Sequence, residues 1–272
     1  FSCHDAKSIF MIPQMLYEQG LVDVVFKKFG NVGFVNTSKN WDNWNMIVNS
    51  LQKTDDVIKI AMVGKYVTLA DSYVSVNEAL KHSSASIGRS VNIEWIDSET
   101  LNGNLEHLDN FDGLLVPGGF GIRGSEGIID TATYALEKNI PYLGICFGFQ
   151  LAAVAFGRKI CNFENANSTE IVGDTKNPII DLLPEQKNET DMGGSLRLGA
   201  NEIKISQDSL ARKIYSSDKI FKRHRHRYEF NTKYREEFLK KGMIFSGESD
   251  DGKRMEILEI PSHKFFLGVQ FH

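Results

Sequence analysis

Between residues 57 and 157 short apolar runs alternate with segments of helical period, and that rhythm leaves few folds open to the chain. Residues 57–63 read as a buried strand closed by Gly64. Asp71 then predicts the cap of a helix with Val76, Leu80, Ser83 and Ile87 on one face. Residues 91–96 and 111–116 are the next strands, 126–139 a helix, 141–145 a strand and 147–157 the helix after it. Alternation of this kind predicts an α/β fold with a mostly parallel central sheet and helices on both faces. After Gly194 strands follow one another, at 195–205, 243–247, 254–260 and 266–271. Residues 1–50 carry no strand alternation: 8–20 read as a short helical piece broken by Pro13, and 30–45 are polar with Trp41 and Trp44. We therefore divide the chain into a tail and linker over 1–54 and a domain over 55–272.

The run 141–150, Pro-Tyr-Leu-Gly-Ile-Cys-Phe-Gly-Phe-Gln, bears most directly on function. An apolar strand reaches a cysteine at a corner and a helix opens at once, with Gly144 and Gly148 on either side of the turn. Such an elbow lifts Cys146 above the sheet edge and points it at the positive end of a helix, which favours its thiolate and makes it a nucleophile. A packed core cysteine is the plainer reading, but it would give the two glycines no purpose. Three cysteines form no even disulfide framework, which points to a reducing, cytoplasmic setting.

Three other stretches supply chemistry. The sequence Leu-Leu-Val-Pro-Gly-Gly-Phe-Gly-Ile-Arg-Gly at 114–124 ends a strand in glycines whose backbone N–H groups can hold a developing oxyanion. It lacks the Gly-Lys-Ser/Thr of a nucleotide phosphate loop. At 268–272, Gly-Val-Gln-Phe-His delivers His272 at a strand end, where general acid–base work is the better reading of a histidine. The run 221–229, Phe-Lys-Arg-His-Arg-His-Arg-Tyr-Glu, is a solvated face, a phosphate patch or a local anion site; the formal net charge of −4 favours the last and argues against nucleic acid. The longest apolar run, 151–156, is too short to cross a membrane. Residues 165–170, Asn-Ala-Asn-Ser-Thr-Glu, read alone as a loop.

Together, the Pro-Gly-Gly turn, the cysteine elbow and the late strand-borne histidine resemble the class I glutamine amidotransferases, a flavodoxin-like family. Val63-Gly64-Lys65-Tyr66, the stretches 116–124, 165–170 and 223–228, and Met192-Gly193-Gly194 with Leu196-Arg197-Leu198-Gly199 are similar, more narrowly, to the glutaminase domains of the CTP synthase family. Residues 1 to about 25, with Asp5 and the stretch 8–13, resemble the end of that family's synthetase domain. The resemblance implies that Cys146 attacks the side-chain amide of L-glutamine and gives a glutamyl thioester and ammonia. It implies that His272 shuttles protons and that Gly119 and Phe147 N–H groups form the oxyanion hole. Gly119, Phe147, Gly148, Phe149, Gln150, Glu170 and Arg227 would bind glutamine, Arg227 suiting the α-carboxylate and Glu170 the α-ammonium. Phe120 and Arg123 fall in the segment that resembles a lid near a GTP site.

Further implications concern a longer, homotetrameric enzyme, a ligase of pyrimidine biosynthesis in which a synthetase domain of the same chain uses ATP and magnesium to aminate UTP, with GTP as activator. No cofactor, metal ligand, nucleic acid or membrane is implied for the chain itself. Both ends read as cut from something longer. The family's third catalytic residue is a glutamate two positions beyond the histidine, and the chain stops at His272. The rival readings are the glutaminase of another biosynthetic enzyme, and a non-catalytic module or cysteine sensor of the same topology.

Overall fold

The computed structural model describes residues 1–6, 8–30, 38–51, 56–67, 70–101, 103–183, 186 and 196–272. The motif Met192-Gly193-Gly194, Ser195 and the stretch 31–37 lie outside them. The chain divides into two compact units, residues 1–58 with 75–92, and residues 59–74 with 93–272.

The first unit is helical. It holds α1 (Ile12–Glu18), α2 (Leu21–Phe29), α3 (Ser38–Leu51) and α4 (Val74–Ser86, all but its first residue). Pro13 does not break a helix here; it sits in the first turn of α1, where the missing N–H would have had no partner. Asp71 lies in a 3₁₀ turn ahead of α4 rather than at its cap. The predicted face of α4 is also displaced: Ser84 and Ala85 are the buried residues, and Ser83 and Ile87 are exposed.

The second unit carries the sheet. Its strands are β1 (Val57–Gly64, from Lys59 on), β2 (Ser90–Asp97, from Ile93 on), β3 (Gly113–Val116), β4 (Tyr142–Ile145), β7 (Arg197–Ile205), β8 (Lys219–His226), β10 (Ile244–Ser249), β11 (Met255–Glu259) and β12 (Phe266–Val269). They run in the order β2-β1-β3-β4-β12-β11-β10-β7-β8. The central pairs β1/β3, β3/β4 and β4/β12 are parallel, and β11, β10, β7 and β8 extend the sheet with antiparallel pairs. A small second sheet joins β5 (Ala166–Ser168), β6 (Asn177–Asp181) and β9 (Glu229–Phe230), so the stretch read as a loop at 165–170 contains a strand.

Helices α5 (Ser125–Lys138) and α6 (Phe147–Lys159) pack on one face of the large sheet, where Phe266 joins their core. On the other face Leu267 and Val269, the alternate residues of β12, bury against Ala211 of α7 (Leu210–Tyr215). The last helix, α8 (Arg235–Lys240), brings Phe238 into the first of these cores. Residues 221–226 of the basic run lie in the edge strand β8 with a two-residue period, Arg223 and Arg225 facing outward while His224 and His226 are buried; Arg227 and Tyr228 follow the strand and Glu229 belongs to β9. The antiparallel half curls back on the parallel half, because the N–H of His272, just beyond β12, donates to the Arg223 carbonyl of β8 at 2.8 Å.

Candidate active site

The elbow forms as the residue types demand. Cys146 stands at φ 53°, ψ −95°, outside the regions a non-glycine residue favours, between β4 and the first turn of α6. The flanking glycines serve close approach. A Cβ on Gly144 would lie 2.6 Å from the Gly148 carbonyl, and one on Gly148 would lie 2.3 Å from the Val116 carbonyl at the end of β3. The strain is held from the next strand, where the Cys146 N–H donates to the Val269 carbonyl at 2.7 Å.

The thiol is not the exposed, dipole-activated group the elbow alone suggests. Cys146 is 5 % exposed. Burial pushes its thiol up to about 12, against which the Phe147 N–H and the Gln270 amide pull down. The N–H of the helix start acts in the expected direction, and desolvation outweighs it. Gln270 Nε2 is a side-chain hydrogen-bond donor to Sγ, at 3.7 Å.

A cavity of about 290 Å³ opens at this point, lined by Gly119, Cys146, Gln150, Glu170, Arg227 and Tyr228, with Phe120, Leu196, Arg225 and His226 completing the wall. The structure thus brings Gly119, Glu170 and Arg227, from three other segments of chain, to the one that holds Cys146 and Gln150. Phe147, Gly148 and Phe149 are buried on the core side of the elbow. Phe120 stands 67 % exposed beside the cavity. Arg123 pairs with Glu99, and its Nη2 donates to the Lys65 carbonyl at 3.1 Å.

His272 lies against the glycine turn: a Cβ on Gly118 would meet its Cε1 at 2.7 Å. Burial lowers the imidazole below the usual histidine value, and the neighbouring His226, His224, Arg223 and Arg225 lower it further. It is therefore neutral at pH 7 and able to take a proton. Glu170 is raised by burial and drawn back by the Gly121 N–H, which donates to it at 2.9 Å, and by Lys65 and Arg227.

Two participants carry no role in the sequence reading. Lys65, directly after β1, is 5 % exposed. Its ammonium donates to the Phe120 carbonyl at 2.7 Å and to that of Gly121, and lies 4.4 Å from the centre of the Phe147 ring. Burial lowers it to about 8, with Glu170 opposing. A lysine just past the carboxyl end of a buried strand is the signal that points to it. Gln270, fully buried two residues before His272, is the second. Beneath β8, His224 bonds Glu256 at 2.8 Å and His226 bonds Glu229 at 2.9 Å, which is why two histidines turn inward from a basic strand.

A strained cysteine between a parallel strand and a helix, a glycine turn on the neighbouring strand and a histidine past a third strand define a class of protein. Residues 68–272 match the family described as glutamine amidotransferase class-I, and the chain belongs to it. Within that class it is similar to proteins named CTP synthase. It is 47 % identical over 272 residues to the CTP synthase of Staphylococcus epidermidis and 46 % identical over 275 residues to that of Archaeoglobus fulgidus. These alignments take in 99 % and 100 % of this chain and 50 % of each relative, so the chain spans about half the length of the curated relatives it matches. The solved glutaminase domain of Trypanosoma brucei CTPS, with acivicin bound, superposes with a TM-score of 0.74 at 36 % identity, covering 79 % of this chain and 85 % of that one.

Proposed function

We propose that the chain hydrolyses L-glutamine to glutamate and ammonia through a thioester on Cys146, and that in a longer protein the ammonia aminates UTP. The observation that carries this is the single cavity holding a strained thiol, a carboxylate and an arginine. Arg227 suits the substrate α-carboxylate and Glu170 the α-ammonium. Cys146 Sγ attacks the amide carbon, and its proton passes by way of the neutral His272 to the departing ammonia. The negative oxygen of the tetrahedral intermediate is held by N–H groups at Gly119 and Phe147. Water then cleaves the thioester.

ATP, magnesium and the UTP site belong in this reading to the remainder of the longer protein, a cytoplasmic homotetramer. Residues 1–54 are the end of its synthetase domain and a linker, and 55–272 the amidotransferase domain. Phe120 and Arg123 suit a lid that responds to GTP. Among the described residues no helix is long and apolar enough to cross a membrane.

The test is ammonia release from glutamine by the chain and by Cys146→Ala. Release by the parent that falls to background in the variant, with unchanged circular dichroism, is expected. Acivicin, bound by the trypanosomal relative, should protect Cys146 from alkylation and leave Cys3 reactive. Equal release by parent and variant would remove Cys146 from the chemistry.

A further inference from the structure

We propose that Gln270 is a catalytic residue of this site, an amide donor to the Cys146 thiolate that is aimed by Gln150 and, through it, by the backbone carbonyl of Tyr228. The inference rests on Cys146 being the nucleophile. Three contacts make the chain of amides. Gln150 Nε2 donates to the Tyr228 carbonyl at 2.8 Å and to Gln270 Oε1 at 3.2 Å, and Gln270 Nε2 donates to Cys146 Sγ at 3.7 Å.

Each link sets the direction of the next. The Tyr228 carbonyl can only accept, so the amino end of Gln150 must face it. The second N–H of that amino group is then left for Gln270 Oε1. An amide with its oxygen so engaged has its own N–H groups turned to the opposite side, where the sulfur lies. Gln270 and Gln150 are 0 % and 3 % exposed, and buried amides of this kind keep their protein partners.

The chemistry of the acceptor makes this bond selective. A neutral thiol accepts hydrogen bonds weakly, whereas a thiolate accepts them strongly, so the donor stabilises the reactive form. It exchanges no proton itself; the one lost by Sγ goes to the base. Tyr228 follows Arg227, so the carbonyl that directs the amides is part of the segment that lines the substrate cavity. Substrate seated on Arg227 and a correctly aimed Gln270 are thereby two ends of one path, backbone from Arg227 to Tyr228 and hydrogen bonds from there on.

The experiment is the rate of Cys146 alkylation by iodoacetamide across pH, read by peptide mass spectrometry with exposed Cys3 as the reference in the same sample. Gln270→Met keeps the side-chain length and removes the donor. Gln270→Glu keeps the shape and puts an acceptor against sulfur. Gln150→Met leaves Gln270 in place and removes what aims it. At pH 8 we expect Cys146 to react about tenfold more slowly than in the parent with Gln270→Met, the loss of one hydrogen bond to a charged group. Gln270→Glu should be slower still and Gln150→Met intermediate, with the rate–pH curves displaced upward in that order. Parental rates in Gln270→Met, or equal slowing by Met and Glu, would overturn the proposal by leaving only a packing role. If both Gln270 variants fail to fold by circular dichroism, Gln150→Met decides: slowing sustains the proposal and a parental rate overturns it. Alkylation needs no glutamine, so this result stands apart from ammonia release, on which the hydrolase reading depends.

Discussion

At the scale of single residues, the site sets charge against burial. Lys65 is the clearest case, an ammonium placed under the glycine turn by two carbonyls and an aromatic ring. Its folded value near 8 lies below its ordinary 10.5. Between those values the unfolded chain holds a proton that the folded chain lacks, so this group's contribution to stability rises with pH. Lys65→Met has no such titration. The stability of the parent minus that of the variant, from urea unfolding, should therefore grow between pH 8 and pH 10.5, and a flat difference would mean an ordinary lysine. Arg227 yields a different expectation. An arginine fork on a carboxylate remote from the reacting amide positions substrate, so Arg227→Ala should raise KM by roughly 10–100-fold and lower kcat less. Arg227→Lys should not restore binding, since a point charge lacks the bidentate fit. Cys146 was legible because strain, glycines and helix start all leave marks in sequence. Lys65 and Gln270 were not, because their roles are set by which carbonyls and sulfur the folded chain brings to them.

Among the elements, the turn from β4 into α6 tolerates little change. Its two glycines face backbone rather than flexible side chains, so an added methyl cannot be relieved by a rotamer change. Gly148→Ala should cost about 1–3 kcal/mol or more of stability, as overpacking does, and should remove activity by moving the sulfur. Denaturant midpoints that match the parent would show that α6 can slide away from β3. The strand–helix alternation from β1 to α6 was readable because parallel strands buried on both faces appear as plain apolar runs. The edge strand β8 was hidden for the opposite reason. Of its three buried positions only Ile220 is aliphatic; His224 and His226 are made acceptable inside by Glu256 and Glu229, and no hydropathy pattern encodes a partner supplied from elsewhere. The offset face of α4 has a similar origin, since Ser84 and Ala85 are small enough to be buried without being apolar landmarks.

For the molecule as a whole, the parallel core and the later run of strands follow from sequence, whereas the curl of the sheet does not. That curl is what carries Arg227, at the far edge in strand order, to a cysteine near the middle. Residue spacing cannot reveal it, because contacts between positions 78 and 120 apart, such as Gln150 with Tyr228 and with Gln270, are decided only when all layers are assembled. The place of β12 has a bearing on how the protein is made. It leaves the ribosome after every other described strand, yet it belongs between β4 and β11, in the interior of the sheet. Until it arrives, the nascent chain presents two unpaired apolar edges, the kind of surface that associates with other chains. The same late strand brings Gln270 and the carbonyl that restrains Cys146. Synthesis therefore passes through a stage with two open sheet edges and an untethered Cys146 turn, and a single insertion brings both to an end.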